Sequence, residues 1–227
     1  MHGEREVLGY HALPMSRASR TDRRSFFTFV KKGITDFHQT ASIVPSGRFL
    51  VNAMVDAAEP ERARTIVELG PGTGPMTGPL LARMKKDAKL FTIEIDEPLH
   101  NELVRSHDDP RLTAILGSAE HIEELLAERG HTGKVDVVFS SLGMSLIPST
   151  IRQRILESAA RVLAPGGTYV QFGYFHTRYV TWTKDEGLKG FDYRGTLEKH
   201  FGRVTRQPVP ANFPPAWVYR AHPRTRA

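Results

Sequence analysis

The stretch VELGPGTGPMT, Val67 to Thr77, decides the fold. An apolar strand carrying Glu68 runs into a turn with glycines at positions 70, 72 and 74, and a helix opens directly behind it. Glycine adopts positive φ without steric penalty and lets the backbone approach a ligand, so this turn is suited to wrapping a small molecule at the end of a parallel strand. A phosphate-cradling loop would finish with Gly-Lys-Ser or Gly-Lys-Thr, but Pro75, Met76 and Thr77 follow Gly74 and supply no lysine. A dinucleotide fingerprint needs the spacing G-x-G-x-x-G/A, which the turn lacks. Glu68, just ahead of the glycines, suits a cationic ligand better than a pyrophosphate.

Working outward, the chain repeats strand and helix in regular order. About twenty residues on, FTIEID ends a second strand at Glu94, where a carboxylate can accept both hydroxyls of a ribose. A third strand, Leu112 to Leu116, runs into Gly117-Ser118-Ala119-Glu120. VDVVFSS, Val135 to Ser141, is a continuous apolar run of the kind needed by a sheet covered on both faces, and it delivers Ser140, Ser141 and Leu142 to the same end. A periodic helix over Thr150–Leu163 stops at APGG, and the fifth strand is GTYVQFGYF, Gly167 to Phe175. Two last elements, around Arg203–Gln207 and Ala216–Ala221, are flanked by prolines and fit a closing antiparallel pair. This pattern predicts an α/β, doubly wound, mostly parallel sheet with its ligand crevice outside the carboxyl ends of the strands.

The E-x-G-x-G-x-G run resembles the signature of class I S-adenosylmethionine-dependent methyltransferases. The resemblance implies a Rossmann-like seven-stranded sheet with S-adenosylmethionine as cofactor. It assigns Glu68, Gly70, Pro71, Gly72, Thr73, Gly74 and Thr77 to the cofactor loop, and Glu94 with Ile95 to the ribose. The same resemblance implies that Ser118, Ala119 and Glu120 edge the adenine, with Gly117 beside them, and that Ser140 and Leu142 complete the cofactor site at the carboxyl rim.

Composition fits one globular unit. With 227 residues, 40% of them hydrophobic, the chain can bury a substantial core, and no composition break marks a linker. Cysteine is absent, which excludes disulfides, a thiolate zinc site and a catalytic thiol, and no metal is expected. No apolar run approaches a membrane span, and the first residues are too polar for a signal peptide, so a cytoplasmic protein is expected, and a monomer. The net charge of +6 suggests attraction to a polyanion, either nucleic acid or an anionic bilayer. In SFFTFVKKGITDF, Phe26, Phe29 and Val30 recur at helical spacing beside Lys31 and Lys32. That pattern describes a helix at a lipid interface, or equally a cap laying its aromatic face on the core. Residues 1–57 are thus read as a basic helical extension and 58–227 as the cofactor-binding domain.

The segment ASIVPSGRFLVNAM, Ala41 to Met54, is similar to the I-V-P-T/S motif of bacterial phospholipid N-methyltransferases. GSAEHIEELLAERG, VDVVFSSLGMSLIP, RVLAPGGTYVQFGY and FPPAWVYR follow in that family's order. The resemblance implies methylation of the amine of phosphatidylethanolamine, at an anionic membrane surface, with nucleic acid disfavoured as a partner. It is shared in part with ribosomal RNA adenine dimethylases, which also carry ELGPGTG. Enzymes that methylate base amines place an Asn/Asp/Ser-Pro-Pro-aromatic motif after the fourth strand to hold the amine and stack the base. Here that stretch is Ser140-Ser141-Leu142-Gly143-Met144-Ser145, with Leu142 and Met144 as an apolar lip, and Gly143 stands where the phospholipid enzymes commonly carry proline.

The acceptor nitrogen must approach in line with the carbon–sulfur bond, and an ammonium must first lose its proton. Tyr174, ending the fifth strand in QFGY, resembles the tyrosine of the phospholipid enzymes' QF-x-Y and is expected to orient a cationic headgroup. His176 and Arg178 follow it as partners for the lipid phosphate. Ser46 is placed over the methionine end of the cofactor, although a helix N-cap explains a serine after proline equally well. An RNA or small-molecule methyltransferase, and a protein that binds the cofactor without catalysis, are the other readings.

Overall fold

The computed structural model describes residues 47–179, 181–183 and 187–224; Phe26, Phe29, Val30, Lys31, Lys32 and Ser46 lie outside them. The first half of the chain runs α1 (Gly47–Ala58), β1 (Thr65–Leu69), α2 (Thr77–Arg83), β2 (Lys89–Glu94), α3 (Glu97–Ser106), β3 (Leu112–Leu116) and α4 (Ile122–Ala127). It continues through β4 (Val135–Ser140), α5 (Ser149–Val162), β5 (Leu163–Tyr174), β6 (Thr181–Thr183), β7 (Gly187–Lys189), α6 (Tyr193–His200), β8 (Val204–Val209) and β9 (Ala216–Ala221). The main sheet has seven strands in the order β3-β2-β1-β4-β5-β9-β8, parallel from β3 to β5 and closed by the antiparallel β9 and β8. That is the Rossmann-like, doubly wound fold the sequence predicts.

Both faces are covered, which is why the central strands read as unbroken apolar runs rather than as alternating ones. On one face Val67, Leu69, Val138 and Tyr169 pack with Ile122 and Leu126 of α4, Ile155 and Ala159 of α5, and Leu197 of α6. On the other, Ile66, Phe139, Val170 and Phe172 meet Leu50 and Met54 of α1 and Leu80 of α2. Residues 47–57 are therefore packed on the sheet as α1.

The APGG stretch differs from its expected role as a simple helix stop. Leu163 pairs with Val135 and Thr168 with Val137, so four residues bulge out of β5 against a single one on β4. A Cβ on Gly167 would lie 3.0 Å from the Asp136 carbonyl oxygen, so glycine lets the bulge close onto its neighbour. Among the described residues no helix is long and apolar enough to cross a membrane.

Strand order reverses between β1 and β4, where the chain after β1 turns one way and the chain after β4 the other. In open α/β sheets such a point leaves a crevice at the carboxyl ends of the strands. Here the loops are tied together above it: the Gly70 amide donates to the Ile93 carbonyl at 2.9 Å, Gly117 to Glu94 at 2.8 Å, and Ser141 to Leu69 at 2.9 Å.

Candidate active site at the carboxyl ends of the strands

Gly70, Gly72 and Gly74 all have positive φ, at 66°, 59° and 91°, which carries the chain sharply from β1 into α2. Gly74 also lets α3 approach, since a Cβ there would lie 2.5 Å from His107 Cε1 and 2.6 Å from Leu103 Cδ1. The turn is fastened from below by two buried carboxylates. Glu94 Oε2 accepts from the Gly72 amide at 3.0 Å, and its Oε1 accepts from the amides of Ile95 and Asp96, each at 2.9 Å. Burial raises the Glu94 carboxyl above its ordinary range, and the three amides oppose that shift. A carboxylate oxygen has two lone pairs, so Oε1 is saturated while Oε2 keeps one position open toward a ligand hydroxyl.

Glu68 is fully buried. Its Oε2 accepts from Thr77 Oγ1 at 2.7 Å, and Oε1 is buried without a well-formed hydrogen bond from the described residues. Desolvation pushes the Glu68 carboxyl up to about 7, with the Thr77 hydroxyl opposing. Folding therefore takes up a proton between the ordinary value of 4.5 and about 7, and stability falls as pH rises through that window and is level above it. The expected loss is at most roughly 3 kcal/mol, and Glu68→Gln should flatten the slope. Thermal melts of both proteins between pH 4.5 and 8 test this, and an unchanged slope in the variant would discard it.

Beside the glycine turn opens an almost wholly apolar cleft, about 390 Å³ with the open solvent at its mouth included. Gly70, Glu94, Ile95, Gly117, Ser118, Ala119 and Leu142, all singled out in the sequence, line it. Ile93, Ile147, Ile151 and Ile155 line it too and were not anticipated. The periodicity of α5 marks its buried face, but nothing local separates a residue that fills the core from one that walls a cleft. An apolar cleft with Glu94 in its lining suits an adenosine, with the ring between aliphatic side chains and the ribose at the carboxylate.

The remaining predicted positions spread around this cleft. Glu120 stands outside its wall, paired with Arg154 and accepting from the Ser118 hydroxyl at 3.2 Å. Ser140 is buried at the end of β4 beside the Tyr169 hydroxyl. Met144, expected on the lip, is buried in the core under α5, because the short 3-10 turn Met144–Leu146 folds it inward. Tyr174 ends β5 half-buried on the α1 side of the sheet, where it packs edge-on against Phe172. The exposed His176 ring stacks on it, with centroids 5.6 Å apart and planes 12° from parallel. Arg178 is exposed in the same 3-10 turn, Phe175–Arg178. Gly173 was missed: a Cβ there would lie 2.6 Å from the Tyr193 ring, so its neighbour twenty residues on fixes its size.

Residues 66–167 match a family described as a methyltransferase domain. Those residues carry an S-adenosylmethionine-dependent methyltransferase domain. The methyltransferase is 29% identical over 198 residues to an ornithine lipid N-methyltransferase from Singulisphaera acidiphila, across 86% of this chain and 95% of that protein. Ribosomal RNA small subunit methyltransferase A from Dechloromonas aromatica is 40% identical, but over only 70 residues, 31% of this chain and 26% of that one. In fold the methyltransferase is similar to 1,6-didemethyltoxoflavin-N1-methyltransferase from Burkholderia thailandensis, solved with S-adenosylhomocysteine, with a TM-score of 0.63 over 94% of each chain at 15% identity.

Proposed function

We propose that this enzyme methylates the primary amine of a lipid headgroup, phosphatidylethanolamine or an ornithine lipid, as a peripheral protein on the cytoplasmic face of a membrane. The observation that carries this reading is the reach of the similarity. It extends over 86% of the chain for the ornithine lipid enzyme, well beyond the cofactor-binding segment, and over 31% for the ribosomal RNA enzyme. The turn after β4 adds support, since Ser140 to Ser145 contains no aromatic ring on which a flipped base would stack.

When bound, S-adenosylmethionine supplies a methyl group already activated by its sulfonium, so the protein's task is positioning and water exclusion. The glycine turn, Glu94 and the cleft hold the cofactor, and Glu68, drawn into its ionised form by a neighbouring cation, lends a negative charge at the cofactor's cationic end. Tyr174 presents its ring to the acceptor's ammonium. Burial pushes its hydroxyl up to about 12, so it stays a neutral phenol at physiological pH and is not the base. His176, stacked on Tyr174 and open to solvent, takes the ammonium proton and releases it to water.

Tyr174→Phe keeps the ring and is expected to lower kcat by about tenfold or less, whereas Tyr174→Ala, which removes the cation's partner, costs about a hundredfold. Affinity for S-adenosylmethionine should be unchanged in both, and full activity of the alanine variant would remove Tyr174 from the site. The acceptor itself is tested with labelled S-adenosylmethionine offered to total lipids, ribosomal RNA and small amines in parallel. Label confined to RNA or to small amines would overturn the lipid reading.

A further inference from the structure

We infer that the end of the molecule around the active-site mouth is itself a docking face for an anionic bilayer, formed by Phe49, Tyr179 and Phe213 with Arg48 and Arg178. The inference rests on the lipid-acceptor reading and adds the surface by which the enzyme meets its substrate. These aromatics are 41%, 76% and 73% exposed, unlike the ring residues of the core.

Topology brings the three together although they are far apart in sequence. Arg220, near the end of β9, is 3.0 Å from Glu59 just beyond α1, and Gln207 of β8 donates to the Ala53 carbonyl at 3.4 Å. β9 runs antiparallel to β5, so its end lies at the amino edge of the parallel strands, and α1 points its first turn, with Arg48 and Phe49, at the carboxyl edge. Tyr179 directly follows the turn that begins where β5 ends. The Phe175 amide of that turn donates to the Pro215 carbonyl at 2.9 Å, which holds the β8–β9 loop and its Phe213 at the same edge.

The charge around these rings is one-sided. Residues 47–55, 174–179 and 203–224 contain no aspartate or glutamate. Arg48 lies over the Phe49 ring at 5.2 Å, and among the described residues no carboxylate pairs with Arg48 or Arg178. Three other arginines of these segments are engaged within the fold: Arg220 pairs with Glu59, Arg206 lies over Trp217 at 4.2 Å, and Arg224 donates to the carbonyls of Glu198 and Lys199 at the end of α6. Aromatic rings that insert at headgroup depth, ringed by unpaired arginines, match the chemistry of an anionic membrane surface. The face shares this edge of the sheet with Tyr174 at the end of β5, so docking would bring a headgroup to the site without removing the lipid from its leaflet.

The test uses the full chain in flotation with vesicles of phosphatidylcholine alone or with phosphatidylglycerol added, alongside a ribosomal RNA fragment. The wild type should partition onto the anionic vesicles, and the triple variant Phe49→Ser, Tyr179→Ser, Phe213→Ser should bind them at least about tenfold more weakly. Its melting temperature, cofactor affinity and turnover of a water-soluble dihexanoyl phosphatidylethanolamine should match the wild type. If the triple variant misfolds, Phe213→Ser alone is expected to weaken partition about threefold. Undiminished partition of the folded variants, or wild-type binding to RNA and not to vesicles, would overturn the docking face. Failure of the wild type to methylate phosphatidylethanolamine and an ornithine lipid, each offered in soluble short-chain form and in bilayers, would instead overturn the acceptor reading.

Discussion

Gly70→Ala is expected to raise the Kd for S-adenosylmethionine by about a hundredfold while the protein still folds. Two effects combine. Gly70 sits at φ 66°, where an L-residue carries about 1–2 kcal/mol of strain. Its new Cβ would also lie 2.4 Å from Leu142 Cδ2. The Leu142 side chain is free to swing, and the space open to it is the cleft it already lines. The fold thus survives by filling the cofactor site. Gly74→Ala provides the contrast, because its Cβ meets Leu103 and His107 of the neighbouring helix rather than the cleft, and the damage should appear as lost stability. Calorimetric titration with S-adenosylmethionine and thermal melting separate the two outcomes. Near-normal affinity in Gly70→Ala would show that the cofactor does not occupy this cleft.

These two glycines also show why the loop was legible in the sequence. A requirement on the backbone, positive φ within a tight strand-to-helix turn, can be met by few residue types, so it is written locally. The order of the central strands was legible for a similar reason: burial on both faces demands continuous apolar runs, as in VDVVFSS. What sequence could not show depends on partners distant along the chain. Gly173 is constrained by Tyr193, and Ile151 and Ile155 wall the cleft only because α5 lies beside the end of β3. The partners of Arg206, Arg220 and Arg224 are of the same kind: Trp217, Glu59 and helix carbonyls, none of them local in sequence to its arginine. The β6–β7 hairpin has three-residue strands, too short to show any periodicity.

Glu94→Ala should cause a larger loss still, about a thousandfold in cofactor affinity together with roughly 3–5 kcal/mol of stability. The carboxylate is 1% exposed and receives the amides of Gly72, Ile95 and Asp96, so its removal leaves one buried and two partly buried donors unpaired at the base of the glycine turn. Glu94→Gln divides the two roles. Its single carbonyl oxygen can still accept from Ile95 and Asp96, but its amide then faces the Gly72 amide, donor against donor. The turn loses one tie, while a ribose hydroxyl, which both donates and accepts, can still bond to that amide. The glutamine variant is therefore expected to lose about tenfold in affinity and roughly 1–3 kcal/mol of stability, well short of the alanine variant. Titration calorimetry and denaturant unfolding on both variants supply the four numbers. Should Glu94→Ala destabilise the fold yet bind S-adenosylmethionine as the wild type does, the carboxylate would be a fastener of the turn alone, and the open lone pair on Oε2 would face no ribose.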